Sequence, residues 1–371
     1  MKYYIISGEA SGDLHGSNLM KALFLEDKHA EIRFWGGDLM AEVGGTLVKH
    51  YKERAFMGFA EVITNISTLL GFIKFCKEDI SKFNPDKLIF IDNSGFNLRI
   101  AKWAKTNNFY TIYYISPQVW ASRSGRVKDI KRDIDEMYVI LPFVEDFYKK
   151  HDYKVTFVGH PLLDAIANRK QARESEFRKE YNLGEKPIIA LLPGSRKQEI
   201  TKLLAVMLKM ADKFTDYQFV IAGAPSQDYQ FYQQFISKEN VKFISDRTYD
   251  LLSLSYAAIV TSGTATLETA LFKVPEIVCY KTSWLSYQIG KRLINLKYIS
   301  LVNLIMDKEV VKELIQDEMN EKMLTSEIQK IISGEGRTQM LNQYKVLIEK
   351  LGGGGASEIT ASLMLKTLAT S

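Results

Sequence analysis

Cysteine is scarce in this chain of 371 residues, which contains only Cys76 and Cys279. Two cysteines this far apart cannot form the disulfide framework of a small secreted domain or a cysteine-rich zinc site. Both lie in apolar surroundings, so we expect reduced thiols in the core of a protein of the reducing cytoplasm. The five histidines show no metal-ligand spacing. No metal and no other cofactor is therefore expected.

Long apolar runs and low-complexity tracts are also missing. No stretch of about 18 apolar residues could span a bilayer, and the N-terminal sequence MKYYIISGEASGD has no apolar core of a signal peptide. Eight prolines are too few to suggest long disorder. The 49 Lys and Arg against 44 Asp and Glu leave a net charge of +5. Spread over the whole chain, this charge is too small to indicate nucleic-acid binding.

The chain is rich in short apolar runs that alternate with helical stretches. Runs such as Leu88–Asp92 and Ile188–Leu192 are almost continuously apolar, as is typical of parallel strands covered by helices on both faces. Two such series follow one another, which predicts two doubly wound, Rossmann-like α/β domains. We expect domains at 1–165 and 166–350, and a helical C-terminal segment at 351–371 that begins with a run of glycines.

The loop after the first predicted strand is rich in glycine and polar residues. It carries Glu9, Ser11, Asp13 and His15. Ligands of open parallel sheets bind beyond the carboxyl ends of the strands, so this loop is a candidate site for hydroxyls or phosphate. A glycine-rich turn with Asp13 as a helix cap is the structural alternative.

Asp92 stands at the end of the third predicted strand. A carboxylate at the tip of a buried strand is partly desolvated, which raises its pKa towards the value that a general base needs. The alternative is a carboxylate that only caps the following helix.

The fourth predicted strand ends in a loop with Ser116, Gln118, Trp120 and Arg123. The indole of Trp120 could stack on a sugar or cover an acyl chain. It could equally pack beneath the loop as a structural residue.

Two loops of the second half resemble anion and nucleotide sites. Gly194, Ser195, Arg196 and Glu199 lie between a strand and a helix, where free N–H groups, the helix dipole and a guanidinium would face a diphosphate. The spacing is not that of a P-loop. A second helix start carries Ser262, Gly263 and Thr264, followed by Glu268, whose carboxylate could accept hydrogen bonds from a ribose.

Six segments in this order resemble the lipid-A-disaccharide synthase family: SGEASGD, IDNSGFN, SPQVWASR, GHPLLD, LLPGSRKQE and SGTATLE. The resemblance covers essentially the whole chain. It implies a GT-B fold and an inverting, metal-independent glycosyltransferase. The implied reaction transfers 2,3-diacylglucosamine from its UDP derivative to 2,3-diacylglucosamine 1-phosphate, releasing UDP, at the cytoplasmic face of the inner membrane of a Gram-negative bacterium. The family also suggests a homodimer, and the glycine run at 352–355 would permit the C-terminal segments to be exchanged.

By this resemblance Asp92 is the general base, and Arg196 and Glu199 belong to the donor site. Ser262, Gly263, Thr264, Glu268 and Asn303 match the nucleotide segments. The polar loops of the first domain would then face the acceptor. Other readings stay open: a different UDP-sugar GT-B enzyme, such as the transferase that forms lipid II or a UDP-GlcNAc epimerase, or a carrier without catalysis.

A helix with one apolar stripe is predicted in the first domain, in the segment 59–83. Phe72 and Phe75 fall outside that stripe, beside lysines, as is typical of an interfacial helix. We therefore expect the protein to dock on an anionic membrane surface, where basic residues contribute about 1 kcal/mol each. The residues expected there are Phe72, Phe75, Arg126, Lys131, Arg132, Trp284, Lys291 and Arg292.

Overall fold

The computed structural model describes residues 1–55, 66–122, 124–236, 238–283, 287 and 297–366. The chain divides into two compact units. Unit 1 comprises Met1–Asn168 together with Leu351–Ser371, and unit 2 comprises Arg169–Lys350. Each unit is built on a parallel sheet with helices on both faces, as the two series of apolar runs predict.

Unit 1 holds a seven-stranded sheet among its described residues, in the order β3-β2-β1-β4-β5-β6-β7, with every pairing parallel. Its strands are β1 Lys2–Ile6, β2 Glu31–Gly36, β3 Thr46–His50, β4 Lys87–Ile91, β5 Thr111–Tyr114, β6 Glu136–Val139 and β7 Thr156–Phe157. Its helices before the unit boundary are α1 Ala10–Glu26, α2 Asp38–Val43, α3 Lys52–Ala55, α4 Ile66–Phe83, α5 Ser94–Thr106, α6 Val119–Ser122, α7 Val127–Asp133, α8 Phe143–Lys149 and α9 Pro161–Ala167, with a 3-10 turn at Ser124–Arg126.

Alternate side chains of β1 show how helices cover both faces of this sheet. Tyr3 and Ile5 join the core beneath α1, whereas the hydroxyl of Tyr4 donates to Asp79 of α4 at 2.7 Å. Successive strand residues point to opposite faces, so α1 and α4 lie on opposite sides. All of β4 is buried, as expected for a strand between two helical layers.

Unit 2 holds a six-stranded parallel sheet among its described residues, in the order β10-β9-β8-β11-β12-β13. Its strands are β8 Ile188–Leu192, β9 Gln218–Gly223, β10 Val241–Ser245, β11 Ser255–Thr261, β12 Glu276–Tyr280 and β13 Lys312–Ile315. Its helices are α10 Glu174–Glu180, α11 Lys197–Met207, α12 Met210–Lys213, α13 Tyr229–Gln233, α14 Thr248–Leu254, α15 Thr264–Leu271, α16 Leu301–Met306, α17 Glu321–Ile332 and α18 Gly334–Lys350, with a 3-10 turn at Gln316–Glu318.

The chain then returns to unit 1 as α19, Ala356–Lys366. The four glycines before it all have positive φ angles, so they break the helix as predicted. Asp164 accepts from the backbone N–H groups of Gly355 and Ser357 at 2.6 and 3.1 Å, and buried Lys87 donates to the carbonyl of Met364. A carboxylate at the N-terminus and an ammonium at the C-terminus both suit the helix dipole. This helix therefore belongs to the core of unit 1.

The apolar runs identified most strands but not all of them. β3 is half-exposed at the edge of its sheet, and β13 has charged residues among its four, so neither gives an apolar run. The chain after 286 is mainly helical among its described residues, with β13 as the strand found there. Cys76 and Cys279 are buried free thiols, as predicted. Among the described residues no helix is long and apolar enough to cross a membrane.

Candidate active site

Each sheet reverses its strand order at one place, and the candidate residues lie beside these two reversals. In unit 1 the order turns between β1 and β4, and in unit 2 between β8 and β11. Ligands of open parallel sheets bind beyond the strand ends at such positions. Glu9 and Asp92 follow β1 and β4, while Gly194 and Ser262 follow β8 and β11. The topology thus places the segments after β1 and β4 next to each other in unit 1, and those after β8 and β11 next to each other in unit 2.

Asp92 has a strained backbone that neighbouring side chains hold in place. Asp92 and Asn93 have φ angles of 46° and 43°, a left-handed conformation that only a few per cent of non-glycine residues adopt. The amide Nδ2 of buried Asn97 donates to the carbonyl of Asp92 at 2.9 Å, and the hydroxyl of Tyr113 donates to the same carbonyl. Strain that the surroundings maintain in this way is typical of functional sites.

The electrostatics of Asp92 suit a proton acceptor. Part of the side chain is exposed, but the strand ends around it remove much of its solvent, and this desolvation raises the pKa of the carboxyl. The charge of Glu9 raises the pKa further, whereas the N–H of Asn93 lowers it. Asp92 is therefore reachable by a substrate and more basic than an ordinary aspartate.

The loop after β1 combines exposed and buried residues. Glu9 and Ser11 are exposed. Asp13 is buried, and its carboxylate accepts from the N–H groups of Gly37, Leu39 and Met40 at 2.7 to 3.1 Å. Asp13 therefore caps α2 rather than α1, which gives it the helix-capping role that was the structural alternative to ligand binding.

His15 lies in α1 beside a second buried histidine, His160. Burial lowers the pKa of His15 to about 4 and that of His160 to about 3, and the charge of His15 contributes to the latter. Both are therefore neutral at pH 7. The Nδ1 atom of His160 accepts from the N–H of Leu162 and caps α9.

The loop after β5 presents a mixed surface. Ser116 is buried, Gln118 is exposed and Trp120 is half-buried, with its ring edge-on to Phe143 at 4.8 Å. Trp120 thus packs on one side and stays accessible on the other, so both of its predicted roles fit. Arg123 lies outside the described residues.

A cavity of about 380 Å³ opens at the reversal of the unit 2 sheet. The starts of α11 and α15 line it, together with the ends of β9 and β12. The predicted donor residues that line it are Gly194, Ser195, Arg196, Glu199, Ser262, Gly263, Thr264 and Glu268. Two larger depressions of unit 2 lie elsewhere, lined mostly by polar and charged residues and by no strand carboxyl end. The cavity at the reversal is therefore the candidate site.

Gly194 is required where the cavity meets β8. Its φ angle is 97°, and an added Cβ would lie 3.3 Å from both the carboxylate of Glu199 and the side chain of Thr261. A larger residue would be strained and crowded. The tight turn brings Arg196 to the N-cap position of α11, where free N–H groups already favour an anion.

Arg196 is free to move onto a ligand. Its side chain is 81% exposed, and its Nη1 atom donates to Oε1 of Glu199 at 3.0 Å. An exposed ion pair of this kind contributes little to stability. Tyr280 lies at the end of β12. Burial and the charge of Glu199 raise the pKa of its hydroxyl, whereas the charge of Arg196 lowers it.

Glu268 reaches the cavity from α15. Burial raises its pKa, and its Oε1 atom accepts from the hydroxyl of Tyr249 at 3.0 Å, which lowers the pKa. The hydroxyl of Ser262 donates a hydrogen bond to the carbonyl of Ile299 at 3.0 Å. Neutral hydroxyls and one carboxylate are the groups that recognise a sugar diol.

Asn303 does not line this cavity. It is fully buried in α16, and its amide oxygen accepts from the N–H groups of Val310 and Val311. Its nitrogen donates to Val311 and to Glu313. All its polar groups are engaged inside unit 2, so the structure replaces the expected donor contact with a structural role.

The residues expected at a membrane are placed unevenly. The ring centroids of Phe72 and Phe75 each lie 6.2 Å from that of buried Trp35, and the side chain of Phe75 remains 43% exposed. Arg132 is paired with Asp129 and Asp133, and Lys131 lies near the carbonyl of His151. Arg126 is half-exposed. Trp284, Lys291 and Arg292 lie outside the described residues.

Tyr280 and Thr248 also line the cavity and were not singled out from the sequence. Tyr280 ends a predicted strand, so the rule that located Asp92 could have found it. Thr248 lines the cavity beside Tyr249, and no motif marks either residue. Among the described residues no group of three His, Cys, Asp or Glu is arranged to hold a metal ion.

Structural comparison shows the fold of the chain. A UDP-GlcNAc 2-epimerase from Neisseria meningitidis, solved with UDP-GlcNAc, matches with a TM-score of 0.68 and 13% identity over 99% of this chain and 100% of its own. The glycotransferase of kitacinnamycin matches with a TM-score of 0.69 and 11% identity, over 98% of each chain. These likenesses support the GT-B fold class.

Sequence comparison is more specific. The profile of the lipid-A-disaccharide synthetase family matches residues 3–366. The lipid-A-disaccharide synthase of Syntrophus aciditrophicus (strain SB) is 40% identical over 97% of this chain and 96% of its own, and that of Geobacter metallireducens is 37% identical over 98% and 96%. That of Coxiella burnetii (strain Dugway 5J108-111) is 34% identical over 97% and 96%. The chain therefore belongs to the lipid-A-disaccharide synthetase family and is a glycosyltransferase of lipid A biosynthesis.

Proposed function

We propose that the chain transfers 2,3-diacylglucosamine from UDP-2,3-diacylglucosamine to 2,3-diacylglucosamine 1-phosphate, with inversion, to give the lipid A disaccharide 1-phosphate and UDP. The observation that carries the proposal is the chemistry at the two sheet reversals. Unit 1 presents a basic carboxylate, Asp92, and unit 2 presents an anion-binding cavity with Arg196. A transferase needs both, one to activate the acceptor and one to bind the leaving nucleotide.

The proposed chemistry uses protein groups alone. Asp92 accepts the proton of the acceptor hydroxyl as the hydroxyl oxygen attacks the anomeric carbon, and the bond to the diphosphate breaks on the opposite face. The diphosphate gains negative charge, which Arg196 and the N–H groups at the start of α11 stabilise. Glu268 accepts hydrogen bonds from the ribose hydroxyls.

On the acceptor side we assign Glu9, Ser11, Ser116, Gln118 and Trp120, since these residues follow the carboxyl ends of β1 and β5, on either side of Asp92. His15, which lies in α1, belongs to the same proposed acceptor side. The surroundings that we propose are the inner face of the bacterial inner membrane and a homodimer. Phe75, which is exposed on α4, supports the membrane contact.

Release of UDP, with and without the acceptor, tests this function. The purified chain is given UDP-2,3-diacylglucosamine alone or with 2,3-diacylglucosamine 1-phosphate. The proposed transferase releases UDP and forms disaccharide only when both substrates are present. Epimerisation of UDP-GlcNAc without any acceptor would support the epimerase, and binding without release would support a carrier.

A further inference from the structure

The two oxygens of the Glu268 carboxylate have different surroundings. Its Oε1 accepts from the hydroxyl of Tyr249 at 3.0 Å. Among the described residues no group donates to Oε2, although Glu268 lines the cavity. The protein thus holds one oxygen of a carboxylate that lines the cavity, and no described group of the protein occupies the other.

Tyr249 is itself fixed by a rigid support. Its ring packs against that of Phe272 at a tilt of 56°, with 5.3 Å between the ring centroids, and the guanidinium of Arg169 lies 5.1 Å from the centroid of the Phe272 ring. The next residue in α14, Asp250, accepts from Arg169 at 2.9 Å and from Arg247 at 2.5 Å. The phenol is therefore held at one position relative to Glu268.

The phenol is also a permanent donor. Burial and the charge of Glu268 raise the pKa of Tyr249 far above the neutral range, so its proton stays on the oxygen. A hydrogen bond from a neutral donor to a carboxylate fixes the carboxylate plane and favours the ionised form. A phenylalanine would keep the same ring packing but would form no such hydrogen bond.

We propose that Tyr249 is a positioning residue for nucleotide recognition: it orients Glu268 so that this carboxylate discriminates a ribose diol from a deoxyribose. The inference rests on the proposed binding of a uridine nucleotide in the unit 2 cavity. The hydrogen bonds between Glu268 and the ribose form with bound substrate and persist in the transition state. They therefore contribute to substrate binding rather than to turnover.

Tyr249→Phe tests this role by calorimetric titration with UDP, 2′-deoxy-UDP and 3′-deoxy-UDP. For the unchanged protein we expect each missing hydroxyl to weaken binding by about tenfold. For Tyr249→Phe we expect UDP to bind about tenfold more weakly than it binds the unchanged protein. Removing a ribose hydroxyl should then weaken binding to this variant by only about a further twofold. In steady state the KM for the UDP-sugar rises, with kcat within about twofold.

Tyr256→Phe is the matched control. Its hydroxyl donates to the carbonyl of Ile332 at 2.8 Å and lies at the start of β11, at the opposite end of that strand from the cavity. This variant should bind all three nucleotides as the unchanged protein does, and thermal melting should show both variants folded.

The outcomes separate this inference from the function beneath it. Unchanged UDP binding and an unchanged deoxy penalty in Tyr249→Phe would overturn the role of Tyr249. Equal binding of UDP and both deoxy analogues by the unchanged protein would also overturn it, while leaving nucleotide binding intact. No binding of UDP at all would contradict the proposed function and this inference together.

Discussion

The side chain of Asn97 holds the backbone carbonyl of Asp92 at 2.9 Å, one turn into the helix that follows the carboxylate. This hydrogen bond fixes two successive left-handed residues at the end of β4. Replacing Asn97 with Ala should release this conformation and misplace the Asp92 carboxylate. We expect kcat to fall about tenfold, since a displaced base loses part of its contribution, with UDP affinity unchanged.

Two further variants make the Asn97 result interpretable. Tyr113→Phe removes the second donor to the same carbonyl and should lower kcat by a smaller factor. Asn107→Ala removes an amide that binds the carbonyl of Trp103 at the other end of α5 and should leave kcat unchanged. Equal rates for Asn97→Ala and Asn107→Ala would contradict a positioning role for Asn97.

Arg196→Ala should weaken UDP binding and lower kcat together, because the guanidinium binds the diphosphate and stabilises its growing charge. Arg196→Lys should restore activity only in part, because an ammonium cannot form the bidentate contact. Steady-state kinetics and UDP titration measure both effects. Arg173→Ala is a close control, since Arg173 is 80% exposed and pairs with Glu176 three residues later, as Arg196 does with Glu199.

Two results would contradict this role of Arg196. Full activity of Arg196→Lys would remove the geometric argument. Loss of activity in EDTA, restored by Mg²⁺ or Mn²⁺, would show that a cation rather than Arg196 neutralises the diphosphate.

The double variant Phe72→Ser/Phe75→Ser should lose binding to anionic vesicles, measured by sedimentation at low and high salt. Loss of two aromatic side chains removes apolar area from the proposed interface, and salt weakens the contribution of nearby lysines. Leu25→Ser is the control, because Leu25 is 66% exposed on α1, on the opposite face of the sheet. Equal vesicle binding by the double variant would assign both phenylalanines to packing on Trp35.

Glu276 makes stability depend on pH in a calculable direction. It is fully buried at the start of β12, and both carboxylate oxygens lack a partner among the described residues. Burial raises its pKa well above the ordinary value, so the folded chain keeps the proton while the unfolded chain releases it above about pH 4.3. The free energy of unfolding therefore falls as the pH rises above that value.

Glu276→Gln should raise the melting temperature by about 2 °C or more at pH 8, with a gain that shrinks towards pH 5. Calorimetry across this range measures the difference. Glu313→Gln provides the contrast, because the Glu313 carboxylate accepts from Ile299, Ser300 and Asn303, and its loss should lower the melting temperature. A gain for Glu276→Gln that does not change with pH would contradict a buried proton.

The sequence locates the site better than it describes its contacts. Asp92 and Arg196 come just after short, almost continuously apolar runs, so their places beyond strand ends could be predicted from local pattern. Asp13 and Asn303 are as polar as their neighbours, so local pattern does not distinguish them. Asp13 binds the N–H of Gly37, 24 residues later, and Asn303 binds the N–H of Val311, where the chain folds back. The support of Glu268 by Tyr249, 19 residues earlier, is likewise a product of tertiary packing that no motif records.

Turnover of Asp92→Asn is the direct test of general-base catalysis by Asp92. The variant keeps the size of the side chain but cannot accept a proton as the carboxylate does, and losing a general base costs about 10²–10⁴ in rate. We predict that disaccharide formation falls by this factor while UDP binding stays within about threefold. For the unchanged enzyme, kcat/KM should fall with acid at a pH above the ordinary pKa of aspartate, because that of Asp92 is raised. Near-normal turnover of Asp92→Asn would contradict the account.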